Sequence, residues 1–115
     1  MGRKELAIQN RIELAIGSLP DVLTLRNSVG VAKHVDRNGK EWTVPYGLGV
    51  GSPDLLCIVA PLGRLVALEV KDPDGVVSDE QRRCHAAWRR FGVTVGVVYS
   101  PEDALAVLAT VRGRP

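Results

Sequence analysis

The sequence predicts a single α/β domain in which helices flank a mixed β-sheet, with one more helix at the C-terminal end. Apolar residues recur at helical spacing near the N-terminus, short apolar runs bounded by turn residues occupy the middle, and strand-like and helical segments alternate after them. With 115 residues, of which 45% are hydrophobic, the chain can bury one core. We therefore expect one domain over residues 1–115.

The N-terminal part predicts a helix, a strand and a hairpin. Residues 3–19 carry isoleucines along one helical face, and Pro20 ends the pattern. Residues 22–26 are strand-like. Residues 29–44 predict two extended arms, because the pair Asn38-Gly39 between them favours a tight reversal. A hairpin or ordered flap is expected there.

Two apolar strands with a short turn between them are predicted in the middle of the chain. Residues 54–60 are apolar on both alternating faces, which is typical of a central strand covered by helices on both sides. The turn at residues 61–64 is short, so the strand at residues 65–71 should be antiparallel to the first. Asp54 and Glu69 are then expected at the same end of this pair.

The C-terminal part predicts a helix, a strand and a helix. Ser78 and Gln81 have the spacing of a capping box that opens the first of these helices. A buried strand is predicted at residues 93–98. The last helix begins after Ser100, an N-cap residue followed by proline at the first helical position. Residues 112–115 are expected to form a disordered tail.

The residues that carry chemistry stand at the ends of the two middle strands. Glu69 and Lys71 are two apart on a strand, so their side chains leave the same face, with the carbonyl of Val70 between them. Divalent cations take oxygen ligands from carboxylates and carbonyls and neutralise the phosphate in phosphodiester hydrolysis. Asp54 and Glu69 would bind such a cation, and Lys71 would hold or deprotonate the attacking water. The pattern favours a nuclease over charged residues in solvated turns.

These residues resemble the PD-(D/E)xK nuclease superfamily through Pro53-Asp54 and Glu69-Val70-Lys71. The wider pattern is similar to the VRR-type branch, whose stand-alone members are often carried by bacterial viruses. It covers nearly the whole chain in order: Glu5 with Gln9, Arg26-Asn27 with Gly30, Tyr46-Gly47, Gly51-Ser52-Pro53-Asp54-Leu55, and Gly75, Ser78 and Gln81 after the lysine. The resemblance implies a restriction-endonuclease-like fold with an αβββαβ core and a C-terminal helix.

Glu5 and Gln81 are further site candidates. Glu5 lies on the isoleucine stripe of the first helix, which points it toward the sheet, but a first-turn glutamate interacting with the helix dipole is an equal alternative. The resemblance implies that Glu5 is a third metal ligand. For Gln81 the alternative is the reciprocal cap with Ser78, and both roles are compatible. The resemblance implies that Gln81 also orients Lys71, the water or a phosphate in the catalytic set.

Two sets of residues are candidates for DNA contacts. The first shares the polar side of the second helix: Arg82, Arg83, Arg89 and Arg90. The second lies in segments that the resemblance places near the substrate: Arg26, Asn27, Lys33 and Ser52. Basic side chains neutralise phosphates. A solvated basic face is the alternative for the helix, and pairing with an acid is the alternative for Arg26.

The remaining reactive residue types predict no second site. Cys57 and Cys84 are interpreted as small hydrophobes without a disulfide, and His34 and His85 as ordinary polar or phosphate-facing residues, because neither has a partner at metal-ligand spacing. Phe91 is expected in the core. Cysteines without a disulfide indicate a reducing compartment, and no apolar run approaches membrane-spanning length, so a soluble cytoplasmic protein is predicted, in a bacterial host cell if a virus encodes it.

The sequence therefore predicts a Mg²⁺- or Mn²⁺-dependent endodeoxyribonuclease. The chain leaves no room for a separate reading module, so we expect recognition of DNA shape, as in branched DNA such as a four-way junction cut by a homodimer. The hairpin or the last helix would supply the dimer interface. The alternatives are a flap-type or general DNA nuclease, a sequence-specific restriction endonuclease, and a catalytically idle DNA-binding subunit.

Overall fold

The computed structural model describes residues 2–113, which form a four-stranded sheet, a separate two-stranded sheet and three helices. In chain order the elements are α1 (Arg3–Gly17), β1 (Val22–Arg26), β2 (Gly30–Val35), β3 (Glu41–Tyr46), β4 (Leu55–Val59), β5 (Arg64–Val70), α2 (Asp79–Arg90), β6 (Thr94–Val98) and α3 (Pro101–Ala109). The predicted α/β class, with a mixed sheet flanked by helices, is confirmed.

The main sheet has the strand order β1-β4-β5-β6. Strand β4 is antiparallel to both of its neighbours, whereas β6 runs parallel to β5. The interior position of β4 and its antiparallel pairing with β5 are both as predicted. Leu55 is opposite Leu68, so one further step along the ladder brings Asp54 level with Glu69. The short turn between the strands thus sets the geometry of the candidate site.

The core lies on one face of this sheet. Helix α1 contributes Ile8, Ile12 and Ile16, and α3 contributes Leu108, to a cluster that also contains most of the buried residues of β4 and β5. The opposite face is covered only in part, because α2 packs against β6 at one side of the sheet. Ile58 on β4 is consequently 36% exposed, and the expectation of helices over both faces of this strand was wrong.

Strands β2 and β3 form the predicted hairpin, which pairs only with itself in the described chain. Its turn is closed by Asp36, whose carboxylate Oδ1 accepts hydrogen bonds from the backbone N–H groups of Asn38 and Lys40 at 2.8 and 2.9 Å. Gly39 adopts φ of 81°, a conformation that favours glycine. The rings of His34 and Trp42 stack across the strands. Every residue of β3 is exposed.

Two other expectations are corrected. Phe91 is 88% exposed because α2 ends at Arg90 and the chain turns away from the core at Phe91. Arg112, which was expected in a disordered tail, is held in place, because its guanidinium pairs with the Asp21 carboxylate through two nitrogens, with a shortest distance of 2.8 Å. Residues 114–115 lie outside the described residues. None of the helices described combines the length and the apolar character needed to cross a bilayer.

Candidate active site

Asp54 and Glu69 meet at one end of the β4–β5 pair. Asp54 immediately precedes β4, and its Oδ2 accepts a hydrogen bond of 2.8 Å from the backbone N–H of Val70. This bond fixes the Asp54 carboxylate against the segment that carries Glu69 and Lys71. The donor belongs to the strand backbone, so the pairing of β4 with β5 itself fixes the orientation of this carboxylate.

Glu69 is only 2% exposed. Its burial, followed by the hydrogen bond and the negative charge of Asp54, raises the pKa of Glu69 to about 9, and the positive charge of Lys71 opposes this rise only in part. Two adjacent carboxyl groups in a buried place cannot both ionise unless a positive charge is added. The pair therefore has the electrostatic character of a cation site, and its oxygen donors suit a hard divalent cation.

Lys71 and Glu5 contact each other beside this pair. The distance between Lys71 Nζ and Glu5 Oε1 is 3.8 Å, and their side chains are only 12% and 17% exposed. Glu5 thus faces the site and not the solvent. Within residues 2–113, however, no group of three or more His, Cys, Asp or Glu side chains is placed to hold a metal ion. The expected set of three carboxylates is not assembled, because Glu5 is the charge partner of Lys71.

Gln81 forms the predicted capping box. Its Oε1 accepts a hydrogen bond from the Ser78 backbone N–H at 2.9 Å, and its own backbone N–H donates to Ser78 Oγ at 3.1 Å. Gln81 also lines an open groove together with Asp54. Since the cap uses Oε1, the amide nitrogen Nε2 is the group that Gln81 would offer to a substrate. The structural and the functional roles of this side chain are therefore compatible.

Asn27 holds the loop that leads to Asp54. Its Nδ2 donates to Ser52 Oγ at 2.8 Å and to the Pro53 carbonyl at 2.7 Å, and its Oδ1 accepts from the Leu48 N–H at 3.1 Å. The Ser52 hydroxyl in turn donates to the Gly49 carbonyl, and Ser52 is only 8% exposed. Both residues were expected to contact DNA. Their polar groups are instead occupied within the loop, so they shape the position of Asp54.

Gly51 brings this loop against α2. It has φ of 87°, and a Cβ atom at this position would lie 2.8 Å from the Glu80 carbonyl oxygen. Both the backbone conformation and the space therefore require glycine. The close neighbour of Gly51 is therefore the first turn of α2. The contact fixes the width of the groove between Asp54 and Gln81.

Arg26 and Lys33 are both paired with acids. The Arg26 guanidinium donates to both carboxylate oxygens of Glu13 at 2.9 and 2.8 Å, which lowers the pKa of Glu13. Arg26 therefore has the acid partner that was the alternative to a DNA contact, although it also lines the groove. Lys33 forms an ion pair of 3.1 Å with Glu41 across the hairpin. Neither side chain is a free cation for phosphate.

The four arginines of α2 are all exposed. This exposure is compatible both with a phosphate-binding face and with a solvated one. Arg82 pairs with Asp79 in the first turn of the helix, and Arg89 Nη2 donates to the Val95 carbonyl at 3.0 Å. Arg83 and Arg90 form no salt bridge within residues 2–113. These two are the arginines most available to a ligand.

His85 is the site residue that the sequence interpretation missed. Its Nε2 lies 2.9 Å from Glu69 Oε1, and the two side chains are 3% and 2% exposed. Burial lowers the pKa of His85, and the positive charge of Arg89 lowers it further. The available signal was helical spacing, because His85 follows Gln81 by four residues and so shares its face of α2.

Comparisons with known proteins identify the family of this chain. The family model of the VRR-NUC domain matches residues 37–102, which is more than half of the chain and includes Asp54, Glu69, Lys71 and Gln81. A solved structure described as a VRR_NUC domain is similar to this fold with a TM-score of 0.64 and 25% sequence identity, and the alignment covers 96% of this chain and 99% of that one. A search of curated proteins gave no match. The extent of the family match shows that this chain belongs to the VRR-NUC family, which implies a nuclease-type function.

Proposed function

We propose that this protein is a divalent-metal-dependent DNA endonuclease whose cation binds at Asp54, Glu69 and the Val70 carbonyl. The main support is the contact of the Asp54 carboxyl group with the buried Glu69, because burial and then this contact raise the pKa of Glu69. Mg²⁺ typically uses only one or two carboxylates, together with several waters, so two carboxylates and a carbonyl are sufficient. Mn²⁺ accepts the same oxygen donors.

The residues around the cation position have distinct tasks in this proposal. The cation would neutralise the phosphate and stabilise the leaving oxygen. Lys71 would hold and orient the attacking water through its ammonium group, and Glu5 keeps this ammonium in place through the 3.8 Å contact. Gln81 Nε2 donates to a phosphate oxygen from the groove wall. Asn27 and Gly51 keep Asp54 in position relative to this wall.

We further propose that the substrate is branched DNA and that two copies act together. A domain of this size has one site and cuts one strand, whereas resolving a four-way junction needs two cuts related by symmetry. The hairpin is the better interface of the two that the sequence suggested. Helix α3 buries Ala104 and Leu108 completely, whereas Trp42, Val44 and Tyr46 on one face of β3 are 45%, 42% and 48% exposed. Exposed apolar side chains that lie next to each other are typical of a surface that binds another protein chain.

A cleavage panel tests this function. We expect cutting of a four-way junction in Mg²⁺ or Mn²⁺, no cutting in EDTA, and a dimer at micromolar concentration by sedimentation or light scattering. The Val44→Glu variant should be monomeric, whereas Leu14→Glu, which adds the same charge at an exposed position of α1, should remain dimeric. A monomeric wild type that cuts only flaps or nicks duplex would exclude junction resolution. DNA binding without cutting in any metal would indicate an idle binding subunit.

A separate prediction concerns the exposed face of α2. Replacing Arg83 and Arg90 with Gln should weaken DNA binding for all sequences, because these arginines would neutralise phosphates without reading bases. The slope of log K against log salt concentration should become shallower by about one to two. Binding titrations at several salt concentrations measure this slope. The double variant Arg37→Gln, Lys40→Gln at the hairpin turn is the control for loss of two positive charges, and an unchanged slope in the α2 variant would make this face a solvated surface.

A further inference from the structure

The Glu69 carboxyl group and the His85 ring form a buried pair. The two side chains are almost completely enclosed, and one hydrogen bond of 2.9 Å joins Nε2 to Oε1. Once Glu69 ionises to bind a cation, its buried carboxylate needs a hydrogen-bond donor, because a buried charge without one is strongly disfavoured. The other donors nearby are engaged elsewhere, since the Val70 N–H donates to Asp54 and the Lys71 ammonium contacts Glu5. His85 is therefore the side chain that fixes this oxygen of Glu69.

We propose that His85 is a positioning residue that orients the Glu69 carboxylate for cation binding. This inference rests on the proposed metal-dependent function. When its proton is on Nε2, the neutral imidazole donates one hydrogen bond to Glu69, and this bond holds Oε1 while leaving Oε2 uncommitted to the ring. Partners of this kind commonly fix carboxylate ligands and thereby raise the affinity of a site for its metal.

The position of His85 is set by contacts at both ends of α2. The Ser78–Gln81 capping box fixes the start of the helix, and Gly51 lies against the Glu80 carbonyl in the first turn. Near the other end, Arg89 donates to the Val95 carbonyl at the edge of the main sheet. The helix is thereby held against both the loop before Asp54 and the strand beside β5. A ring carried on such a fixed element can hold a ligand oxygen in one orientation.

The experiment measures Mn²⁺ binding to metal-stripped full-length protein by electron paramagnetic resonance, so that the readout does not depend on cleavage. His85→Leu removes the hydrogen-bond donor and fills the buried position with an apolar side chain of similar size. We expect it to weaken Mn²⁺ binding by about 10- to 100-fold, the usual effect of removing such a partner. His85→Gln places an amide nitrogen near the position of Nε2, and it should restore most of the affinity.

Two further variants separate positioning from general damage to the fold. Leu108→Ala removes packing from the core on α3, away from the site, and should lower the melting temperature with little change in Mn²⁺ affinity. His85→Asn carries the same amide on a shorter side chain that does not reach Glu69, and it should bind Mn²⁺ more weakly than His85→Gln. The comparison of Asn with Gln decides the question even if His85→Leu does not fold.

Equal Mn²⁺ affinity in the wild type, His85→Leu and His85→Asn would overturn the role of His85, and equal affinity in the Gln and Asn variants would do so as well. Wild-type protein that binds Mn²⁺ with the expected order of variants but cuts no DNA would overturn the nuclease function and leave the role of His85 standing. Cleavage by a wild type that binds no Mn²⁺ would overturn the role of His85 together with the metal site.

Discussion

Asp54→Asn and Glu69→Gln are each expected to abolish DNA cleavage. Either change removes a negative charge from the place where the cation would bind, and a catalytic metal supplies several kcal/mol of transition-state stabilisation. Because each 1.36 kcal/mol is a factor of ten in rate, the single-turnover rate should fall by at least about a hundredfold. The rate is measured on a labelled branched DNA at saturating Mg²⁺. Near wild-type turnover in either variant would remove these carboxylates from the active site.

The pH dependence of stability provides the control for Glu69→Gln. The pKa of Glu69 is about 9 in the folded, metal-free protein and 4.5 in an unfolded chain. The folded state therefore holds a proton that the unfolded state has lost, so this contribution to stability is complete below pH 4.5 and declines up to about pH 9. Thermal unfolding in EDTA should show this decline in the wild type and less of it in the Gln variant. The variant should be folded and should still bind DNA.

Lys71→Ala is the second change with a large expected effect. The ammonium group is largely enclosed beside Glu5 and has no substitute at the site among the basic residues described. Loss of the group that orients the attacking water should lower the rate by about 10²- to 10⁴-fold. Lys71→Met should behave in the same way, since it keeps most of the side-chain length but not the charge. Single-turnover cleavage is again the measurement.

The Lys71 variants should lose turnover without losing Mn²⁺ binding, because the lysine is not a ligand. Lys40→Ala, at the exposed hairpin turn, is the matched control and should cut DNA at the wild-type rate. Parallel losses of metal affinity and cleavage in Lys71→Met would contradict the assignment. They would show that Lys71 acts by supporting the carboxylates and not by acting on the water.

Much of the candidate site could be predicted because it depends on local rules. The short turn after β4 requires an antiparallel partner, and this pairing alone brings Asp54 level with Glu69. The capping box of Ser78 and Gln81 is a four-residue pattern, and both of its hydrogen bonds are present in the structure. The roles of Glu5 and Asn27 were harder to predict, because each depends on which distant part of the chain lies next to the residue in the folded protein. Glu5 meets Lys71, and Asn27 meets the loop before Asp54.

The sequence by itself determined the α/β class, the order of the elements and the end of the sheet at which Asp54 and Glu69 meet. Periodicity, caps and turn residues act over a few positions and are readable directly. Tertiary structure decided the contacts between distant segments. Arg26 pairs with Glu13, which is 13 residues away in the sequence, and His85 contacts Glu69, which is 16 residues away. The exposure of one face of β4 was also decided by tertiary structure, because no local sequence pattern predicts how far α2 extends over the sheet. These features depend on how whole elements pack together, and packing is not encoded at any single spacing.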